Sequence, residues 1–326
     1  MKKVLNITNG NSAVKIMRQA DIPGTFLSWD DVLHDGPVPA GLLLEELSKV
    51  RAQFIVECGW GDIQNISNSF NERDSKLKSC NENEKIILWY EHDLYDQLQI
   101  IQILDWFCHH PVDNDVELSI ICTDNYLGRL SPDELLGLFK YEEPVTEKHL
   151  SLASRSWEAF RAPSPKPLSD LLESDTSALP FLKGATTRLL EEYPSTFNGL
   201  SRTAQQALSI IGNGEKRPLR VFGESQELEE STFLGDSSFW LILNSFLKSN
   251  PPLITLPAGI ELTLPASPDQ DLTITTVGQE VLAGKKRWLD IVKPDKWIGG
   301  VHLTTANNGT GILFPAQSKE IISLHY

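Results

Sequence analysis

Four short polar groups in the first 125 residues hold side chains that could do chemistry. They are Asn9-Gly10-Asn11-Ser12, Asp30-Asp31 with His34-Asp35-Gly36-Pro37, Glu91-His92-Asp93, and Thr123-Asp124-Asn125. An imidazole beside a carboxylate, as at His34-Asp35, can orient a general base or supply two ligands to a divalent metal. Glu91-His92-Asp93 puts three consecutive ionisable residues directly after an apolar run. Such a cluster is costly to bury unless it is paired, solvated or bound to a ligand. Asp93 can equally cap a helix beginning at Leu94, and Asp96 and Gln97, one turn on, could face the same crevice. In Asn9–Ser12 the glycine lets backbone approach a ligand, and the helix amides behind it favour an anion. An ordinary βα turn capped by Ser12 would use the same residues, and neither G-x-G-x-x-G nor a P-loop lysine is present.

These groups give His34, Asp35, Glu91 and His92 as candidate catalytic residues and candidate ligands of a metal. Asn9, Gly10, Asn11, Ser12, Asp31, Gly36, Asp93 and Thr123 are the candidate ligand-binding residues. With Asp30, Asp31 and Asp124 nearby, the crevice is acidic, and a divalent cation suits it better than a bare phosphate, which needs arginine or lysine. The basic candidates closest in sequence, Arg51, Arg73 and Arg129, read as solvated surface residues. His109-His110 sits at a helix C-terminus, where cations belong, and His149, His302 and His325 are isolated. No serine elbow or catalytic cysteine setting is visible.

The elements that must position these residues alternate in type. Val4–Thr8, Thr25–Trp29, Lys85–Tyr90 and Val116–Cys122 read as strands, each running into one of the polar groups. KIILWY at Lys85–Tyr90 shows no alternation, as expected of a strand covered on both faces. Helices are expected over Ser12–Ala20, Leu42–Cys58 and Leu94–Phe107. This rhythm predicts a parallel sheet with right-handed crossovers, in which ligands bind beyond the carboxyl ends of the strands.

After Thr123 the strand signal stops. Ser131-Pro-Asp-Glu is a capping box with proline at the first helical position. Helical patterns follow at Thr146–Phe160, Leu168–Leu172 and Ala178–Glu192. The last 128 residues read as helices at Ser201–Ile211, Pro218–Phe222 and Ser238–Lys248, then β-rich runs at Leu253–Leu256, Ile260–Leu264 and Leu272–Thr275, and a helix at Thr276–Leu282. The expected architecture is α/β: a Rossmann-like parallel sheet domain (1–128), a helical middle region packed on it (129–198) and a winged-helix-like C-terminal domain (199–326).

The chain has 326 residues, 40% of them apolar, and a net charge of −15. Of its 44 acidic and 29 basic residues, positions 199–326 hold 13 and 11, leaving 31 and 18 in the first 198. That surface repels polyanions, so nucleic acid is not an expected partner. The helix Ser238–Lys248 is nearly all apolar and lacks the polar side chains of a DNA reader. No run reaches the roughly 18 consecutive apolar residues of a membrane span. MKKVLNITNG turns polar at Asn6, so a cytoplasmic protein is expected. The four scattered cysteines form no zinc or disulfide pattern.

The segments LNITNGNSAV (Leu5–Val14), WDDVLHDGPVPAGL (Trp29–Leu42), LWYEHDLYDQLQ (Leu88–Gln99), DTSALPFL (Asp175–Leu182), NGLSRT (Asn198–Thr203) and WIGGVHL (Trp297–Leu303) resemble a bacterial family designated domain of unknown function 1835. The resemblance spans nearly the whole chain. It implies a domain layout and a set of suspect residues, with no reaction attached. The sequence leads to the expectation of a cytoplasmic protein binding a small anionic, phosphorylated or nucleotide-like ligand at the strand ends. Metal-assisted phosphoester hydrolysis is the accompanying chemistry, with the cofactor otherwise open. The other reading is a ligand-sensing regulatory or adaptor protein using its C-terminal domain for protein contacts or self-association, less so DNA.

Overall fold

The computed structural model describes residues 3–304 and the backbone of Gly311–Leu313 and Ile322–Leu324; His325 lies outside the described residues. The chain divides into two compact units. One holds residues up to Thr186 together with Gly299–Val301; the other holds Thr187–Ile298 and the residues from His302 on.

The first unit is a mixed α/β structure built on five strands. β1 (Val4–Thr8) pairs in parallel with β2 (Thr25–Ser28) on one side and with β4 (Lys85–Tyr90) on the other; β3 is the two-residue strand Gly36–Pro37. β5 (Glu117–Cys122) continues the parallel set beside β4, and the short β6 (Glu143–Pro144) closes the edge antiparallel. The order is therefore β2-β1-β4-β5-β6. Strands Ile86–Tyr90 are buried throughout, because both faces are covered. On one face Ile87, Trp89 and Ile121 pack on Ala13 and Met17 of α1 (Asn11–Gln19). Within β1, Asn6 is wholly buried, yet it donates to the Pro23 carbonyl and accepts from the Trp89 indole, so no polar atom is stranded.

Three more helices precede β5. α2 (Leu44–Glu57) and α4 (Leu94–His109) match the sequence reading to within a few residues. α3 (Ile63–Lys78) was not anticipated, because its composition is largely polar. Its buried positions Phe70, Arg73, Asp74 and Leu77 nonetheless recur at helical spacing, and Asp62 caps it by accepting from the Asn65 amide. Beyond β5, α5 (Pro132–Leu136) carries the expected capping box at Ser131 and Glu134. α6 (Glu147–Arg161) packs along α4, and α7 (Lys166–Leu172) along α6, so the helical region as far as Thr186 belongs to the sheet unit.

Two arginines read as surface residues from sequence turn out to be internal. Arg51 is fully buried and Arg73 nearly so. Arg51 Nε donates to Asp31 Oδ1 at 3.0 Å, and its Nη atoms donate to the carbonyls of Asp35 and Val32. Arg73 donates to Asp74 and Ser48 and lies over the Trp29 ring. The acidic residues Asp31 and Asp74 are what draw these arginines inward, since a buried carboxylate needs a partner. Gly36, in the loop this pair braces, sits at φ +79, and a Cβ there would meet the Phe54 ring at 2.5 Å. Near the other end of the chain Gly300 donates to the Phe160 carbonyl and Gly299 accepts from Val38. A Cβ on Gly300 would lie 1.8 Å from the Arg161 carbonyl oxygen, so only glycine fits there.

In the second unit α9 (Arg202–Gly212), α10 (Pro218–Glu227) and α11 (Asp236–Lys248) enclose a core of Leu208, Ile211, Val221, Phe239, Leu243 and Phe246. α8 (Leu182–Leu190) carries the division between units. From its carboxyl end Arg188 reaches Glu192, Glu229 and the Thr203 hydroxyl, tying residues ahead of position 199 to this unit. α8 starts later than the pattern Ala178–Glu192 suggested, and the proline at 180 is the reason. A small antiparallel pair, β7 (Ile254–Thr255) with β8 (Thr273–Ile274), precedes α12 (Thr276–Leu282). The expected strand Ile260–Leu264 does not form; there the Thr263 carbonyl instead accepts from the Trp240 indole. Among the described residues no helix is long and apolar enough to cross a membrane.

The Arg51–Asp31 pair gives a stability test. Arg51→Ala should cost about 3–5 kcal/mol, because it leaves a carboxylate buried without its partner. Urea unfolding of the variant, compared with wild type, measures it.

Candidate functional site

Strand order reverses between β1 and β4: β2 lies on one flank of β1 and the strands that follow lie on the other. Residues that leave the carboxyl ends of β1 and β4 therefore face a common crevice. Asn9 follows β1 and Glu91 follows β4, and the two meet. Asn9 Nδ2 donates to Glu91 Oε1 at 2.9 Å and to Asp96 Oδ2 at 2.9 Å. Asp96 stands one turn into α4, and its Oδ1 accepts from the Glu91 amide at 2.7 Å. Glu91 Oε1 takes a further hydrogen bond from the Leu127 amide, beyond β5. Asp93 caps α4 through the Asp96 amide, as its place in the sequence suggested.

Glu91, Asp93 and Asp96 thus form a buried carboxyl cluster, with one oxygen from each lying within 4.8 Å of the others. Burial pushes all three pKa values up, and mutual repulsion adds to the effect for Asp93 and Asp96. Asp93 reaches about 7, and Asp96 lies well above the usual carboxylate range. The opposing contributions are the Leu127 amide and Asn9 at Glu91, together with the positive charge of Arg129. Only this last is a cation, and Arg129 is exposed.

The two histidines sit apart from this cluster and from each other's neighbours. His34 is buried against the edge of Tyr95, its Nε2 3.6 Å from Asp35 Oδ2. The Tyr95 hydroxyl in turn donates to the Asn9 carbonyl. His92 is half-buried between the rings of Tyr126 and Phe181. Desolvation lowers its pKa, while Asp124 and a backbone hydrogen bond with Thr123 work in the opposite sense. Of the expected ligand set His34, Asp35, Glu91 and His92, only Glu91 belongs to a group whose ligand atoms come together; among the described residues that group is the carboxyl trio. His92 packs instead on Tyr126, beyond β5, and on Phe181, just ahead of α8, while His34 and Asp35 stay with the loop that Arg51 holds.

The Asn9–Ser12 turn also differs from expectation. The N-cap is Gly10 rather than Ser12, in extended backbone and with no side-chain cap. The Asp30 carboxylate takes up the amino end of α1, accepting from the Asn11 amide at 3.3 Å and from Asn11 Nδ2 at 2.8 Å. A Cβ at Gly10 would lie 2.9 Å from Asp30 Oδ1. An acidic side chain of the protein itself thus stands where an anion would meet the helix. Ser12 is exposed. Asp31 is committed to Arg51 and Gly36 to its turn. Thr123 shapes the loop after β5, its hydroxyl accepting from the backbone and side chain of Asn125.

Sequence reasoning singled out Asp96 only as a neighbour of the crevice and did not find Leu127, Tyr126 or Phe181. The i, i+3 spacing of Asp93 and Asp96 at a helix start is the signal for the first. The others arrive from loops with no local signature. No protein-family model matches the chain, and a search of the curated proteins finds no match.

The raised pKa of Asp93 fixes a direction of pH dependence. The unfolded chain gives up this proton near pH 3.8 and the folded one near 7. Folded-state stability therefore falls as pH rises through that window, and stays lower above it. Asparagine caps a helix as well as aspartate does. Asp93→Asn should accordingly stabilise the chelator-treated protein at pH 8 by on the order of 2–4 kcal/mol and have little effect at pH 4. Thermal unfolding at the two pH values checks this.

Proposed function

We propose that the first unit, read as a Rossmann-like sheet domain, binds a small phosphorylated or nucleotide-like ligand beyond the carboxyl ends of β1, β4 and β5. The observation that carries the reading is the meeting of Asn9, Glu91 and the Leu127 amide at the reversal of strand order. Crevices of this kind are the common ligand sites of open α/β sheets. The loop after β5 adds chemistry suited to such a ligand. Tyr126 and Phe181 flank the His92 ring, offering flat apolar surface to a base or sugar. The Arg129 guanidinium lies 4.4 Å from the centroid of the Tyr126 ring and is exposed, the arrangement that meets a phosphate bidentately.

The turn Gly10–Ser12, expected to cradle the anion, contributes less to this reading, since Asp30 takes the amide there. In a metal-assisted hydrolysis of a phosphoester the carboxylates would hold the cation and His92 would be the nearby proton carrier. A second reading, in which a winged-helix-like second unit contacts another protein, draws on the exposed Leu219 of α10, Leu228 just past it and Leu241 of α11. The DNA version draws no support from α11, where Asn244 donates to the Trp240 carbonyl of its own helix.

The test is calorimetric titration and thermal shift with ADP in the presence of magnesium. Saturating ligand at 100 times its dissociation constant should stabilise the protein by about 2.7 kcal/mol. Arg129→Ala and His92→Ala should each weaken binding at least tenfold and leave the unliganded melting temperature within a few degrees. An early-melting His92→Ala protein would reassign that residue to folding, and the absence of any shift across nucleotides and sugar phosphates would remove the reading.

A further inference from the structure

The carboxyl cluster at the end of β4 is a poor resting arrangement for a protein with no positive side chain buried beside it. Three carboxyl groups lie within 4.8 Å of one another, all of them nearly or fully buried. The hydrogen bonds to them are well placed but few. Asn9 and the Leu127 amide both use Glu91 Oε1, and among the described residues no donor reaches Glu91 Oε2. Buried charge of one sign is tolerated when a counter-charge or a proton neutralises it.

A separate observation concerns the residue just before the cluster. The Tyr90 side chain is fully buried and its hydroxyl has no hydrogen-bond partner. Tyr90 is the last residue of β4, directly before Glu91. Gln97, next to Asp96 on α4, donates through Nε2 to the Glu91 carbonyl, and its buried Oε1 is likewise unpartnered. Unsatisfied polar atoms in an interior call for an explanation such as an ion or an ordered water. The orphaned atoms of Tyr90 and Gln97 are oxygens; His92 Nδ1, also buried without a partner, lies on the residue between Glu91 and Asp93 but is not among the ligand atoms that come together, and no cysteine or histidine belongs to the trio. Oxygen-only donor sets select hard cations, magnesium, manganese or calcium, over zinc or copper.

We propose that Glu91, Asp93 and Asp96 bind one hard divalent cation, with the Tyr90 hydroxyl completing the oxygen lining beneath them. The cation takes the place of the missing counter-charge. It also explains why an acidic crevice can accept a phosphorylated ligand: the ion, rather than the amino end of α1, meets the phosphate oxygens. This second step rests on the ligand reading above; cation binding itself does not.

The test uses manganese alone as the probe, on the full chain freed of metal by chelator at pH 8. Electron paramagnetic resonance titration should show one saturable site, and magnesium should compete for it. Glu91→Gln keeps Oε1 as an acceptor for Asn9 and Leu127 and should lower manganese affinity at least tenfold; Asp93→Asn, which keeps the helix cap, should do the same. Tyr90→Phe should reduce affinity by a smaller factor. Zinc should bind no more tightly than manganese. Absence of a saturable site, or unchanged affinity in both carboxylate variants when circular dichroism shows them folded, overturns the proposal. Titrating ADP with and without manganese separates the two readings. ADP binding that is indifferent to manganese leaves the nucleotide reading intact and sinks the step in which the cation meets the phosphate. Saturable manganese binding with no response to ADP does the reverse.

Discussion

The interaction on which the rest of this site depends is a fork: the carboxamide of Asn9 donates to Glu91 and Asp96 together. With the Glu91 amide also bound by Asp96, the end of β1, the end of β4 and the first turn of α4 are locked into one rigid piece. Carboxyl groups are held close by a neutral donor, and the raised pKa values of the trio record the cost of charging them there. Carboxyl groups shifted by burial and by one another in this way are a mark of functional sites.

Around this piece the structure uses two different solutions for buried acid. Asp31 and Asp74 each recruit an arginine, and the result is an inward-facing, charge-paired brace between α2, α3 and the loop after β2. Glu191, Glu192 and Glu229 of the second unit do likewise with Arg188 and Arg202. Only the trio after β4 lacks a buried cation among the described residues. The contrast within one chain separates carboxylates that hold the fold from those left poised for something else.

Much of this architecture was legible in the sequence. KIILWY announced a two-sided strand, Asp93 a helix cap, and Ser131-Pro-Asp-Glu a capping box, because each signal is local and needs only its own neighbours. What the sequence could not reveal was pairing across distance. Arg51 and Arg73 looked like surface residues since nothing near them in the chain says that Asp31 and Asp74 will be buried beside them. The same limit misplaced the ligand set: adjacency made His34-Asp35 and Glu91-His92 look like natural pairs, whereas helical spacing brings Asp96 to Glu91 and strand geometry turns His92 away. α3 escaped because two of its four buried positions, Arg73 and Asp74, are charged and leave no apolar stripe to read.

The return of Gly299–Val301 to the first unit has a consequence for how the protein is made. Those residues supply a carbonyl to Val38 and an amide to Phe160, so the earliest-synthesised unit lacks part of its hydrogen bonding until the ribosome has passed position 301. Vectorial folding can set the parallel strands early, but the loop that bears His34 waits for Gly299–Val301. Damage at Gly299 or Gly300 should thus be felt in the loop that carries His34, far upstream in the chain.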